Sequence, residues 1–171
     1  MALIQAVRGK FPHLGEHCFI ADNATLVGEV ETGQYCSFWF SCVVRGDVNY
    51  IRIGNYSNVQ DGVIIHGTYE QNGTDIGSFV NIGHRAIVHG CTLKDHCLIG
   101  MGAIVMDRAV VEEYVIIAAG SVVLEGMLCE SGYLYAGVPA RKVKPLTIKL
   151  RKLLDQLPHN YVLYSSWFDA G

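Results

Sequence analysis

Apolar residues recur along this chain at every sixth position. Ile20, Leu26, Thr32, Phe38 and Val44 lead the first hexads, and the series resumes at Ile53, Val59 and Ile65. It returns at Ile76, Ile82 and Val88, then runs from Leu93 through Ile99, Val105, Val111 and Ile117 to Val123. Sixteen of these seventeen leads are apolar, Thr32 being the exception, so the register is carried by pattern rather than by chance. Four residues after a lead the side chain is usually small, as at Ala24, Cys36, Cys42, Ser57, Ala86, Cys97, Ala103, Ala109 and Ser121. Neither the 3.6-residue period of a helix nor the alternation of a strand produces such a series. A six-residue period is the mark of a parallel β-helix, in which each hexad supplies one short strand and one corner. Three hexads close a triangular coil, so about eighteen residues bring the chain back to the same face. The expected fold is mainly β, a parallel β-helix of hexapeptide repeats.

The breaks in the pattern are equally informative. Residues 67–75, GTYEQNGTD, replace a corner and predict a protruding polar loop. The repeat ends after Val123, and YAGVPARKV leads the chain out of the coil. From Leu146 to Phe168 the pattern becomes amphipathic, with Leu150, Leu153, Leu154 and Leu157 followed by Tyr161, Tyr164, Trp167 and Phe168. Pro158 interrupts it and predicts two helical pieces packed on the outside of the prism. Residues 1–145 thus read as the β-helix and 146–171 as a helical segment of the same domain.

Composition narrows the function. Half of the 171 residues are hydrophobic, 17% are charged and the net charge is −3. No cluster of Lys and Arg interleaves with aromatic residues, which argues against a nucleic-acid partner. No apolar run approaches the roughly 20 residues of a membrane span, and the opening MALIQAVRGKF lacks a signal-peptide core. A cytoplasmic protein without membrane attachment is expected. The six cysteines form no CxxC pair, so neither a thiolate zinc site nor a disulfide framework is expected.

Candidate chemistry lies in NIGHRAIVHGC, Asn81 to Cys91, together with His66 and Gly67. Counting hexads puts Val44, Ile65 and Val88 on one face of successive coils. The residues that follow them, Arg45, His66 and His89, form a column there. Val59 and Ile82 share another face, so Asp61 and His84 stack in adjacent coils, with Gln60 beside Asp61. His66 and His89 can therefore share a metal, whereas His84 points about a third of a turn away. A closed three-histidine site needs His84 from a neighbouring subunit in a three-fold ring. Three histidines leave a fourth position for water, the arrangement of catalytic zinc, and neutral imidazole is its usual ligand. Gln60 is placed to orient that water, and Arg45 with Asp61 to pair across the interface.

The motifs RGDV at Arg45, SNVQDGVIIHG from Ser57 to Gly67 and IGHRAIVHGC from Ile82 to Cys91 resemble the γ-class carbonic anhydrase group. IGMGAIV and AGVPAR complete a likeness that covers roughly residues 10–145. The resemblance implies a left-handed coil, a homotrimer, and a zinc, ferrous or cobalt ion held by His66 and His89 of one subunit and His84 of the next. It also implies that Arg45 and Asp47 organise the interface with Asp61. Asn58 becomes a pocket residue, Gln60 contacts the metal-bound water, and Tyr161 is a further candidate in the C-terminal segment.

Two departures stand out. Active members of the group carry Glu after the Asp of the RxD step and another in an acidic loop, both for proton transfer. Here Val48 fills the first position, and the loop after His66 offers Tyr69 and Glu70. The function read from these residues is metal-assisted attack on carbon dioxide, or a related small carbonyl compound, with bicarbonate as the hydrated product and low turnover. The alternatives are a hexapeptide acyltransferase using acyl-CoA and a non-catalytic structural or assembly trimer.

Overall fold

The computed structural model of the chain describes residues 1–168. Its strands are mostly short and pair in parallel, Tyr133–Ala136 with Arg141–Pro145 being an antiparallel closing pair, and they stack into three faces of a prism. Face one runs through the first parts of Thr25–Thr32 and Val43–Ile53, then Ile64–His66, Ile87–His89, Ile104–Val105 and Val122–Val123. Face two stacks seven rungs: Phe19–Ile20, Ser37–Phe38, Asn58–Val59, Asn81–Ile82, Leu98–Ile99, Ile116–Ile117 and Tyr133–Ala136. Face three takes the far ends of the two long strands, then Thr74–Ile76, Thr92–Leu93, Val110–Val111 and Leu128–Cys129.

The hexad leads fill the interior. Val44, Ile65, Val88, Val105 and Val123 pair in register on face one. Phe38, Val59, Ile82, Ile99 and Ile117 do so on face two, and every one of these side chains is fully buried. Burying each such side chain contributes about 1.5–3 kcal/mol, so the columns dominate the stability of the prism. Cys42, Cys91, Cys97 and Cys129 are free and buried here, and burial pushes each thiol up to about 12.

Three expectations need correction. The repeat does not stop after Val123, because Cys129 pairs with Val111 and Tyr135 with Ile117, both inside the core. Their side chains hide the period because neither is aliphatic. The break after His66 is shorter than residues 67–75, since Thr74 and Asp75 already belong to a strand. What remains is a tight hairpin closed by the Thr68–Asn72 bridge, with Tyr69 and Glu70 at its exposed tip. The C-terminal segment is one helix, α1, Ile148–Ser166, and it passes straight through Pro158. Thr147 caps it by accepting the Leu150 N–H at 3.3 Å. Contacts on both sides of the proline dock the helix on the prism. Leu150 and Leu154 pack with Leu98, Ile116 and Leu134, while Tyr161 lies edge-on to Trp39 with ring centroids 5.6 Å apart.

Outward-pointing columns differ sharply between faces. On face three Glu31, Arg52, Asp75 and Thr92 follow one another in register, polar and turned to water, before Val110 and Leu128 end the column. On face two the column runs Ser37, Asn58, Asn81, Leu98, Ile116 and Leu134, and α1 packs over its apolar end. On face one it runs Val43, Ile64, Ile87, Ile104 and Val122, apolar throughout, with Ile64 44% exposed.

One edge of the prism carries a feature absent from the sequence reading. His17, Tyr35, Tyr56, Phe79, His96 and Tyr114 stack ring on ring, with successive centroids 4.7–5.2 Å apart. All six have positive φ between 54° and 58°, a conformation that L residues adopt reluctantly. The stacking and the docking of α1 offset that strain, since His159 leans on Tyr56 and Phe79 and Asp155 accepts from the Tyr114 hydroxyl at 3.0 Å.

Candidate metal centre and its cavity

Face one brings His66 and His89 together in register, one rung apart. His66 Nδ1 and His89 Nε2 approach to 3.3 Å. The remaining nitrogen of each ring faces a carboxylate: His66 Nε2 lies 2.9 Å from Asp47 Oδ1, and His89 Nδ1 lies 2.9 Å from Asp107 Oδ2. Thr74 Oγ1 donates to the His66 carbonyl at 2.6 Å and accepts the Gly90 N–H at 3.0 Å, tying the two strands together beside the rings. Gly90, at φ +55°, leaves room for Asp107, whose Oδ1 a Cβ there would displace.

Burial is the main influence on His66 and holds its pKa below the usual histidine value, against the pull of Asp47. Burial raises Asp47, but hydrogen bonds from Arg45 and His66 and the guanidinium charge outweigh it and leave the carboxyl below its ordinary value. Asp107 is likewise depressed. Burial works against that shift, and Thr68, His89 and Asn72 together overcome it. Both carboxylates are therefore ionised at neutral pH and orient the imidazoles.

His84 sits on a different corner, just after the Asn81–Ile82 strand, and its Nδ1 lies 2.8 Å from Asp61 Oδ2. The expected stacking of Asp61 and His84 is thus present. The three histidines are not gathered within one chain, and among the described residues no three potential ligands converge. Arg45 follows Val44 on face one, but its guanidinium turns to Asp47 of its own chain at 2.5 Å rather than to Asp61. Gln60, His84 and Tyr161 line a common cavity of about 400 Å³ floored by Leu98, Met101 and Ala118. Burial, then the charge of Asp61, pushes the Tyr161 phenol up to about 12, so it stays protonated. Asn58 is buried behind Gln60 and accepts its Nε2 at 3.0 Å.

Two residues escaped the sequence reading. Asp107 stands one coil on from the pair, but Val88 pairs with Val105, so register counting sets Met106 over His89 and passes Asp107 by. Asn81 begins the motif that carries His84, yet nothing in its type or spacing marks it as more than a surface amide.

A triangular parallel β-prism with a histidine pair at its edge is a hexapeptide-repeat protein, and its relatives show that the chain belongs to the γ-class carbonic anhydrase-like family. It is 37% identical over 90% of its length to mitochondrial γ carbonic anhydrase 2 of Arabidopsis thaliana, of which it spans 57%. The chain thus spans a little over half the length of the Arabidopsis relatives it matches. It is 36% identical to a carbonic anhydrase of Geobacillus kaustophilus, with 98% of this chain and 92% of that protein covered. A hexapeptide transferase family protein from Anaplasma phagocytophilum shares the structure with a TM-score of 0.93 and 39% identity, over 97% of this chain and 98% of that one. Residues 90–125 match the bacterial transferase hexapeptide (six repeats) model.

Proposed function

We propose that this protein is a γ-class carbonic anhydrase-like metalloenzyme whose site is completed between the subunits of a homotrimer. The observation that carries the reading is the His66–His89 pair. Two nitrogens bound to one tetrahedral ion at about 2.0–2.1 Å stand about 3.3–3.4 Å apart, and the two ring nitrogens here are separated by 3.3 Å. Each ring is also backed by a carboxylate, the usual support of a ligating histidine. The donor set fits zinc, with ferrous iron or cobalt as the other candidates. When bound, such an ion lowers the pKa of a coordinated water toward about 7 and supplies a nucleophile near neutral pH.

The chain's own residues supply the rest. His66 and His89 hold the ion from one subunit, and His84 of a neighbour closes the set. The bare apolar column on face one supports this assembly, because parallel sheets are ordinarily covered on both sides, and a second copy is the cover at hand. Arg45, ion-paired with Asp47, and Asp61, in contact with His84, come within reach of one another across that contact. Gln60 orients the reacting water. Tyr161, protonated, offers a hydrogen-bond donor at the cavity wall, and the apolar floor suits a small neutral substrate such as carbon dioxide or a related carbonyl compound. The free cysteines favour a reducing compartment such as the cytoplasm.

The test is metal content per chain with native mass. About one ion per subunit in a trimer is expected, lost in His84→Ala and in the double variant His66→Ala/His89→Ala. Mixing and reassembling those two variants rebuilds an intact set at one kind of interface and returns metal and carbon dioxide hydration. Metal retained in full by His84→Ala, or mixed trimers that stay empty, would refute the intersubunit site. Calorimetric binding of an acyl-CoA by a metal-free trimer would move the reading to acyl transfer.

A further inference from the structure

Face two carries a row of primary amides where a β-prism has no structural need of them. Asn81 is fully buried, Asn58 is 1% exposed and Gln60 is 6% exposed. Asn58 Nδ2 donates to Asn81 Oδ1 at 2.6 Å, and Gln60 Nε2 donates to Asn58 Oδ1 at 3.0 Å. At the far end of the row Asn81 Nδ2 faces the Phe79 carbonyl at 3.5 Å, a long contact that nevertheless favours nitrogen over oxygen there.

A backbone carbonyl can only accept, and this sets the sense of the whole row. With its nitrogen turned to Phe79, Asn81 must present oxygen to Asn58. Asn58 must then present nitrogen to Asn81 and oxygen to Gln60. Gln60 must spend its NH2 on Asn58 and show Oε1 to the cavity it shares with His84 and Tyr161. Reversing Gln60 alone would set its oxygen against the Asn58 oxygen. Reversing all three would set the Asn81 oxygen against the Phe79 carbonyl. A single surface glutamine could flip freely; this one is locked from two residues away.

We infer that Asn81 is a positioning residue that, through Asn58, holds Gln60 with its carbonyl oxygen toward the reacting water. This rests on the proposed role of Gln60. An acceptor at that point receives a hydrogen bond from the water O–H and leaves an oxygen lone pair free to face a carbonyl carbon, whereas an N–H there would occupy the lone pair.

The experiment uses trimeric protein labelled with 15N-glutamine. The Gln60 side-chain NH2 is assigned by its loss in Gln60→Ala, and its hydrogen exchange is followed. In the native protein that NH2 exchanges at least about tenfold more slowly than those of the exposed Gln5, Gln34, Gln71 and Gln156. In Asn81→Ala the protection is lost while zinc content and KM are unchanged. There kcat for carbon dioxide hydration falls about 10- to 100-fold, to the level of Gln60→Ala, and the double variant falls no further. Asn81→Asp restores both readouts, because a buried carboxyl stays protonated and can donate to Phe79 while accepting from Asn58. Should Asn81→Ala not fold, Asn81→Leu fills a similar volume without the amide and carries the same comparison. Unchanged Gln60 protection in either folded variant overturns the inference. A native protein that shows the exchange pattern but hydrates no carbon dioxide would remove the catalytic role of Gln60 and leave the amide lock standing.

Discussion

Asp107 offers the sharpest quantitative prediction, because its carboxylate serves two masters. One oxygen takes the His89 Nδ1 contact at 2.9 Å, and the other accepts from Thr68 Oγ1 at 2.6 Å and Asn72 Nδ2 at 3.5 Å. Removing the outer partner of a ligating histidine costs 10- to 100-fold in metal affinity, equivalent to about 1.4–2.7 kcal/mol. Asp107→Asn keeps an acceptor for His89 but loses the charge, so it belongs at the low end, about tenfold. Asp107→Ala loses both and belongs near 100-fold. The alanine variant also frees the Thr68 hairpin, and two lost hydrogen bonds cost about 1–3 kcal/mol. For a chain of this size that lowers Tm by about 2–12 °C. Zinc affinity is read by competition with a chelating dye, and Tm of the metal-free protein by calorimetry. If Asp107→Ala binds zinc as tightly as the native chain in a folded trimer, His89 is not a ligand whose orientation matters, and the proposed site fails.

Two further predictions follow from the faces and the cavity. Ile64→Glu places a charge in the bare apolar column of face one and is expected to dissociate the proposed trimer, seen as monomers by sedimentation, whereas Arg52→Ala on face three leaves the mass unchanged. Tyr161 has its pKa raised in the fold from about 10 to about 12. Its phenol therefore contributes stability that is full below pH 10 and is lost as pH rises toward 12. Tyr50, Tyr114 and Tyr135 are also held above the ordinary tyrosine value, so the readout is a difference: absorbance at the phenolate band loses one late-titrating component in Tyr161→Phe, and loss of a component near 10 instead would contradict its burial beside Asp61.

The six-residue period and the small residues between leads were enough to specify a prism, because each lead must bury the same face in every coil. The same counting placed His66 over His89 and Asp61 beside His84, since register follows directly from the period. It faltered where the chemistry of a position and its geometry diverge. Cys129 and Tyr135 occupy lead positions without looking aliphatic, and Pro158 sits inside a single helix that packs against the prism on both sides of it. Only the tertiary structure decided which outward column meets water, which meets α1 and which stays bare. That choice depends on where a helix some eighty residues further along the chain comes to rest. It is also what turned Asn81 from an apparent surface amide into a fully buried one, and Asp107 into the support of His89. Local periodicity determines which side of a strand faces inward; what covers the other side is settled by elements distant in sequence, and the candidate site is built on that outer side.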